Sequence, residues 1–330
     1  MKYSSVDSEY IQEVFYMGKI GTGPGEFGVI GPMEAEFLNI SSMYPDSLVV
    51  NSKKEIYILD HINNRIQKYD KEGYYLKSIP VLSCADKNGK SLTVIREDIN
   101  GAEHIDIEEK PYYNGKNIMV SSENEIYYYL TKGIVDGEKE NDTQTGEIWR
   151  IVDDEIIEKI KSPANVYGMT LDNEDQIWIG NFNLSKNREL SYKDRMKRKI
   201  EYKDYELKEI VVNDNRIKVE IFSKNGVNAV LNINAIRPWI GDDTISFEIN
   251  GMASCKISDN NKIYLRYGQG RGNDRGVFVN EYDINGKLLS VTRNASGEFM
   301  DNEGKIFNIA PSENNEGEIR VTVKTRKSIK

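Results

Sequence analysis

The sequence predicts an all-β fold, a β-propeller built from four-stranded antiparallel blades, because one short phrase recurs five times along its 330 residues. The phrase is a polar turn followed by an isoleucine and an aromatic residue, which is typical of a hairpin running into a half-buried strand. Its copies are Ser52–Ile58, Ser122–Tyr128, Asn173–Ile179, Asp259–Leu265 and Asn302–Phe307. A supersecondary unit that recurs in this way indicates a repeat architecture.

The first copy contains all the strands of one blade. The predicted strands are Leu48–Asn51, Ile56–Leu59, Arg65–Tyr69 and Tyr74–Ile79. Four antiparallel strands within about 35 residues match a single propeller blade. A second phrase, Ile66–Gly73, returns as Val219–Gly226 and Val279–Gly286, which supports the same alignment. We expect Ile177, Trp178 and Ile263 to lie in the core.

The first blade also resembles a known repeat. The segments Gly21–Phe27, Asn51–Asp60 and Asn63–Tyr69 are similar to an NHL repeat of the six-bladed β-propeller (TolB-like) superfamily. The later copies keep only the strand skeleton. The resemblance implies six blades, whereas the sequence shows five, so a sixth would lie in residues 83–116 or 205–250.

The repeat predicts a single domain over residues 1–330. The expected blade cores are 45–80, 117–161, 167–233, 252–292 and 297–325. An orphan strand at 11–17 is expected to complete the last blade, because a propeller closes by pairing its open edge. Residues 181–215 are expected to form an inserted loop with a short helix that begins at Ser191 and carries Tyr192, Met196 and Ile200 on one stripe.

Composition excludes several classes of protein. The net charge of −9 argues against binding to nucleic acid or to an anionic membrane, since both attract basic surfaces. Cys84 and Cys255 are too few for a disulfide framework, so we expect free thiols.

No stretch approaches the roughly 20 apolar residues that span a bilayer, and the first ten residues lack the pattern of a secretory signal. We therefore expect a soluble monomer. An extracytoplasmic protein or lipoprotein that has lost its signal would give the same sequence, so the location stays open.

The connections between strands indicate where a ligand would bind. Turns between first and second strands, and between third and fourth, are tight, whereas the remaining connections are long and leave an antiparallel sheet at its other end. Recognition residues concentrate on loops carried by a rigid scaffold. The candidate ligand-binding residues on these connections are Asp60, His61, Asn64, Arg237, Trp239, Arg271 and Arg275.

Each candidate has a second interpretation. Trp239 beside Arg237 is typical of a binding anchor, or of a side chain that fills the gap between blades. The glycine-rich stretch Gly268–Gly276 carries Arg271 and Arg275, which could hold a phosphate or carboxylate, or it is a flexible hairpin loop. His61 is either a ligand contact or a solvated loop side chain.

The function predicted from these features is a non-enzymatic scaffold that recognises a protein, peptide or glycan. With only His61 and His104, the chain lacks the histidines of a catalytic triad or a multi-histidine zinc site, and no cofactor is predicted. The alternative is a metal-dependent hydrolase or lyase, in which carboxylates such as Asp60 surround a divalent ion in a central tunnel. RNA binding is known for some members of the NHL-repeat family that the first blade resembles. The net negative charge of this chain argues against it.

Overall fold

The computed structural model describes residues 10–29, 45, 47–97, 103–107, 111–133, 145–164, 169–171, 175–179, 182–189, 199–202, 205–213, 216–223, 226–234, 248–257, 261–271, 274–292, 299–301, 303–311 and 318–326. The chain divides into two compact units. One comprises Glu13–Arg188 and Phe307–Val323, and the other comprises Met1–Gln12, Glu189–Ile306 and Lys324–Lys330. None of the described residues forms a helix long and apolar enough to cross a membrane.

The regular elements of the described residues are all strands. In the first half of the chain they are β1 (Tyr10–Lys19), β2 (Ser47–Val50), β3 (Ile56–Asp60), β4 (Arg65–Tyr69), β5 (Tyr75–Pro80), β6 (Cys84–Ala85), β7 (Thr93–Glu97), β8 (Glu103–Ile107), β9 (Tyr113–Val120), β10 (Ile126–Lys132), β11 (Thr145–Val152) and β12 (Glu155–Pro163).

In the second half they are β13 (Met169–Leu171), β14 (Ile177–Ile179), β15 (Phe182–Asn183), β16 (Arg188–Glu189), β17 (Lys199–Tyr202), β18 (Tyr205–Asn213), β19 (Arg216–Ser223), β20 (Gly226–Asn234), β21 (Glu248–Ile257), β22 (Lys262–Arg271), β23 (Asp274–Asp283), β24 (Leu288–Thr292), β25 (Phe299–Met300), β26 (Ile306–Pro311) and β27 (Glu318–Arg326).

These strands form successive antiparallel sheets, which confirms the predicted all-β fold of four-stranded blades. The four-stranded sheets have the orders β2-β3-β4-β5, β13-β14-β15-β16, β17-β18-β19-β20, β21-β22-β23-β24 and β1-β27-β26-β25. A five-stranded sheet has the order β12-β11-β10-β9-β6. Apart from β6 beside β9 and β1 beside β27, neighbouring strands in each sheet are consecutive in the chain, as in a propeller blade. The N-terminal strand β1 joins the last sheet, as expected.

One predicted blade is in fact two sheets. The range 167–233 was expected to be a single blade with an insertion at 181–215, but it contains both β13–β16 and β17–β20. Strands β18 to β20 lie within 205–250, the second place considered for a sixth blade, but they lack the isoleucine–aromatic phrase that would have separated them from β13–β16. Ile200 lies in β17 opposite Leu207, so the predicted helix does not reach it. Residues 191–198, where that helix was predicted to begin, lie outside the described residues.

Two further connections differ from expectation. Within 83–116, one of the two places considered for a sixth blade, β6 pairs with β9 and the strands β7 and β8 form a separate two-stranded ribbon. Of the glycine-rich stretch, Gly268–Arg271 continue β22 and Asp274–Gly276 belong to β23, so these residues pair in a ladder. Gly268 pairs with Val277 and Gly270 with Arg275, since glycine can adopt the extended conformation of a ladder.

The motif isoleucines and their aromatic neighbours form the core, as predicted. Ile177, Trp178 and Ile263 are buried. Aromatic and aliphatic side chains from facing sheets pack together, so the hydrophobic layers lie between neighbouring sheets. In one such cluster Tyr129 and Ile148 contact Met169 and Ile179.

The tight turns share one design. Each begins with a polar residue whose backbone N–H bonds to the carbonyl of the fifth residue, and the fourth residue has a positive φ. The turns are Asn51–Glu55, Asp70–Tyr74, Ser121–Glu125, Asp283–Lys287 and Asp301–Lys305. Glycine or asparagine tolerates the fourth position best. We call the end of a sheet that carries these turns its plain end, and the opposite end its loop end.

Candidate functional site

The loop ends of sheets β2–β5 and β9–β12 hold three of the predicted site residues, Asp60, His61 and Asn64. Asp60 is the last residue of β3, and the other two lie in the loop that leads to β4. Arg271 ends β22 and Arg275 lies in β23, opposite Gly270.

Arg237 and Trp239 lie outside the described residues. The structure therefore describes side-chain contacts for Asp60, His61 and Asn64, and only the backbone pairing of Arg271 and Arg275.

Asp60 is the centre of a buried hydrogen-bond network. Its side chain is fully buried, and Oδ1 accepts a bond of 3.0 Å from the backbone N–H of Gly28. Oδ2 accepts bonds of 2.8 Å from Asn63 Nδ2, 2.9 Å from Arg65 Nε and 3.1 Å from Gln67 Nε2. Four donors match the acceptor capacity of one carboxylate.

The donors around Asp60 also hold the glycine-rich segment Gly21–Phe27. Arg65 donates to the carbonyls of Thr22, Gly23 and Glu26, and Gln67 Nε2 donates to Glu26 at 2.6 Å. The network thus binds a long connection firmly to the loop end of the first sheet.

Burial and the surrounding donors act on Asp60 in opposite directions. Burial raises the pKa of the carboxyl, and Arg65, Asn63 and the Gly28 amide lower it by a smaller amount. Because each of its bonded neighbours is a donor, the geometry suits a carboxylate that organises the connection. This arrangement favours a structural role for Asp60 over the metal-binding role in the alternative function.

Asn64 fixes the connector that follows the first sheet. Its φ is 54°, a left-handed conformation that asparagine tolerates. Oδ1 accepts bonds from the amides of Ser83 at 2.9 Å and Cys84 at 2.6 Å, and Nδ2 donates to the Cys84 carbonyl at 3.0 Å. One side chain therefore positions β6 against the loop end.

His61 belongs to a buried polar cluster that includes residues of β9 and β10. Its Nδ1 lies 3.0 Å from Ser83 Oγ, and the Tyr128 hydroxyl donates to the Leu82 carbonyl at 2.8 Å. Gly115 makes room for the cluster, since a Cβ there would lie 2.3 Å from Ser83 Oγ and 2.6 Å from the Tyr128 hydroxyl.

The distance between His61 Nδ1 and Ser83 Oγ would suit the base and nucleophile of a hydrolase, but their burial does not. Their relative exposures are 7% and 2%, so both are shielded from solvent. Burial raises the pKa of the neighbouring Cys84 thiol to about 12, which keeps it protonated at neutral pH. The geometry therefore indicates a hydrogen-bonded joint between the two sheets.

A half-buried aromatic pair lies at the loop end of sheet β9–β12. The rings of Tyr112 and Tyr113 pack edge to face with centroids 5.2 Å apart. Lys132 Nζ lies 5.5 Å from the Tyr113 centroid and 2.8 Å from Glu147 Oε1. This pair was not among the predicted site residues, although the sequence shows two consecutive tyrosines there.

Comparison with known proteins gives no family assignment. No family model matches the chain, and no curated protein matches it. A solved structure of a putative exported protein from Bacteroides fragilis aligns over 99% of this chain and 98% of that chain, with 9% identity and a TM-score of 0.40.

Two enzymes also align with the chain. Virginiamycin B lyase from Staphylococcus aureus aligns over 84% of this chain and 94% of that chain, with 13% identity and a TM-score of 0.29. A gluconolactonase from Xanthomonas campestris aligns over 96% of this chain and all of that chain, with 10% identity and a TM-score of 0.26. The fold class rests on the sheets of this chain, and these similarities assign it no ligand.

Proposed function

We propose that this chain is a non-enzymatic recognition scaffold of the NHL-like propeller type, which binds a protein, peptide or glycan at its loop ends. The observation that carries the proposal is the contrast between the two ends of the sheets. The described plain ends consist of short, closed turns, whereas the loop ends carry the long connections. At the first sheet, side-chain networks hold the described parts of two such connections, Gly21–Phe27 and Ser83–Cys84, in place. Rigid presentation of loop residues lowers the entropy cost of binding.

The Asp60 network supports this proposal in a second way. A carboxylate lining a catalytic metal site needs oxygen positions open to the ion, but four protein donors already surround Asp60. Among the described residues, no group of three or more His, Cys, Asp and Glu side chains is arranged to hold a metal ion. Metal analysis of the purified protein is the direct check, because a stoichiometric ion would favour a metal-dependent hydrolase or lyase.

The test of recognition at the loop ends uses two ligand libraries and paired variants. Peptides displayed on phage and an array of immobilised glycans are screened with the wild-type protein. Ligands are then measured against Tyr113→Ala at a loop end and Tyr74→Ala, an exposed residue at a plain end. We expect Tyr113→Ala to weaken binding and Tyr74→Ala to preserve it. Ligands that respond only to the plain-end change would overturn the proposal.

A further inference from the structure

The aromatic pair Tyr112 and Tyr113 is a rigid surface at the loop end of the sheet that contains β9. The planes of the two rings are inclined at 82°, and both side chains are partly exposed. Tyrosine offers a large apolar face with few rotatable bonds, so it loses little entropy when it binds a ligand.

The backbone holds this pair in place from both sides. The Tyr112 N–H donates to the Ala85 carbonyl at 2.9 Å, and the Gly133 N–H donates to the Tyr112 carbonyl at 3.0 Å. Tyr113 lies opposite Lys132 in β10 and opposite Ala85 in β6. The rings are therefore placed before any ligand arrives, which favours affinity.

The charged groups nearest the rings form an ion pair, and Lys159 also acts electrostatically on the acidic member of that pair. The Lys132 ammonium pairs with Glu147, whose other oxygen accepts a bond of 2.7 Å from Trp149 Nε1. The side chains of Lys132 and Glu147 are 25% and 15% exposed, so both can still meet a ligand at the surface. An anion placed here would meet Glu147, and a cation would meet Lys132. The charges of Lys132 and Glu147 therefore compensate each other, and the pair offers neither an anion nor a cation an uncompensated partner.

We infer that this surface, formed by Tyr112, Tyr113, Lys132 and Glu147, binds a neutral saccharide. A pyranose ring has an apolar face of C–H groups that can lie on a tyrosine ring, and hydroxyls that both donate and accept hydrogen bonds. Glu147 accepts and Lys132 donates, so the pair suits hydroxyl groups. The inference rests on the proposed function and specifies its ligand class and its location.

Affinity electrophoresis tests the inference on the intact chain. With a pI of about 5.1, the protein migrates toward the anode in a native gel at pH 8. Gels contain one polysaccharide each: dextran, galactomannan, xyloglucan or a neutral β-glucan, with polygalacturonate as the acidic comparison. We expect at least one neutral polysaccharide to retard the protein, and polygalacturonate to leave its mobility unchanged. Retardation by polygalacturonate alone, or by none of the polymers, overturns the inference.

Variants locate the binding surface. Tyr113→Ala is expected to weaken retardation about fivefold, since loss of one aromatic contact removes of the order of 1 kcal/mol. Tyr113→Phe retains the ring and should retain most of the binding. Tyr74→Ala is the matched control, because Tyr74 is 70% exposed and lies at a plain end. Unchanged retardation of Tyr113→Ala overturns the location.

Two additional measurements separate the possible failures. A thermal unfolding curve is recorded for each variant, and if Tyr113→Ala does not fold, Tyr112→Ala replaces it with the same expectation. Phage-selected peptides provide the second comparison. If they bind the loop end while no polysaccharide retards the protein, the saccharide inference fails and the proposed function stands. If every ligand found binds a plain end, both fail.

Discussion

The Oδ1 atom of Asn124 accepts a hydrogen bond of 2.7 Å from the backbone N–H of Ser52, which lies in the corresponding tight turn of the preceding sheet. The next sheet repeats this link, because the Asp175 carboxylate accepts a bond of 3.0 Å from the backbone N–H of Ser122. Asn124 and Asp175 both have a positive φ. One backbone conformation therefore directs a side chain toward the neighbouring turn, and the link orders successive plain ends.

The link from Asn124 should contribute measurably to stability. Asn124→Ala removes the acceptor for the Ser52 amide and places an alanine at a φ of 66°. We expect a loss of about 1–2 kcal/mol in the free energy of unfolding, the sum of a hydrogen bond and a strained backbone. Urea denaturation measures it. Asn124→Gly is the matched control, since glycine relieves the φ strain but also lacks the acceptor, and an Asn124→Gly variant as stable as wild type would contradict the link.

The network around Asp60 makes a stronger prediction. Asp60→Ala would leave the Arg65 guanidinium and the Gln67 amide without their buried acceptor, and breaking a buried ion pair costs about 3–5 kcal/mol. We expect a loss of that size, together with faster proteolysis within Gly21–Phe27. Urea denaturation measures the loss of stability, and limited digestion with V8 protease, which cleaves after Glu26, measures the exposure of the segment.

The control for Asp60 is its isostere. Asp60→Asn keeps the shape and two of the oxygen lone pairs but removes the charge. Its free energy of unfolding should therefore lie between those of wild type and Asp60→Ala. If Asp60→Ala unfolds within about 1 kcal/mol of wild type, the network does not hold the segment. Loss of a bound metal without loss of stability would instead support the tunnel carboxylate of the alternative function.

The repeat also carries an ion pair beside its aromatic residue, and the order of the charges differs between copies. Glu125 pairs with Arg150, which lies opposite Tyr127. In a later copy Lys262 takes the place of Glu125 and pairs at 2.7 Å with Glu281. In the copy Asn173–Ile179 the two places are taken by Gln176 and Asn183, whose side chains share a hydrogen bond of 2.8 Å. The two positions therefore hold complementary polar partners, and where both are charged the charges are opposite in either order.

This observation predicts the outcome of a charge swap. Glu125→Arg and Arg150→Glu should each lower the urea midpoint, because each places two like charges where the ion pair lies. The double variant restores opposite charges and should recover most of the loss. The coupling in this cycle is the measurement, and a double variant as unstable as the sum of the two single variants would refute the interpretation.

The sequence allowed most of the fold to be predicted, because turn chemistry and strand periodicity repeat within the chain. The blade at 45–80 and the role of β1 followed from local patterns of this kind. The sheet β17–β20 was only partly predicted. Residues 205–250 were one of two places considered for a further blade, and the phrase Val219–Gly226 lies in β19 and β20, but no isoleucine–aromatic phrase separated this sheet from β13–β16. Periodicity alone also could not show that the stretch near Gly268 is paired.

The candidate site was less predictable, because hydrogen bonds between distant segments carry it. Asp60 was selected as a ligand contact, but its partners Gly28 and Arg65 come together only when the glycine-rich segment folds onto the sheet. His61 was chosen from its place in a loop, and nothing local showed that Ser83 would meet it. Residue type and loop position therefore predicted that Asp60 and His61 lie at the loop end of the sheet. They did not predict which contacts these side chains make.

The ion pair of Glu125 also predicts how stability depends on pH. The Arg150 guanidinium holds the pKa of Glu125 below its ordinary value of 4.5, although burial opposes this. A carboxyl whose folded pKa lies below its unfolded pKa stabilises the protein above the unfolded value, and this contribution is lost as the pH falls through the folded value. The contribution of Glu125 to the free energy of unfolding should therefore be constant from pH 7 to about pH 5, and it should decline below pH 4.5.

Urea denaturation of wild type and Glu125→Gln across pH 3–7 measures this contribution. The difference between their free energies of unfolding should be largest near neutral pH and should shrink steadily below pH 4.5. Lys132→Gln is a control that weakens a different pair, with Glu147, and leaves the Glu125 carboxylate and Arg150 in place. A difference between wild type and Glu125→Gln that grows on acidification would show that Glu125 takes up its proton more readily in the folded chain. The ion pair with Arg150 would then not govern its titration.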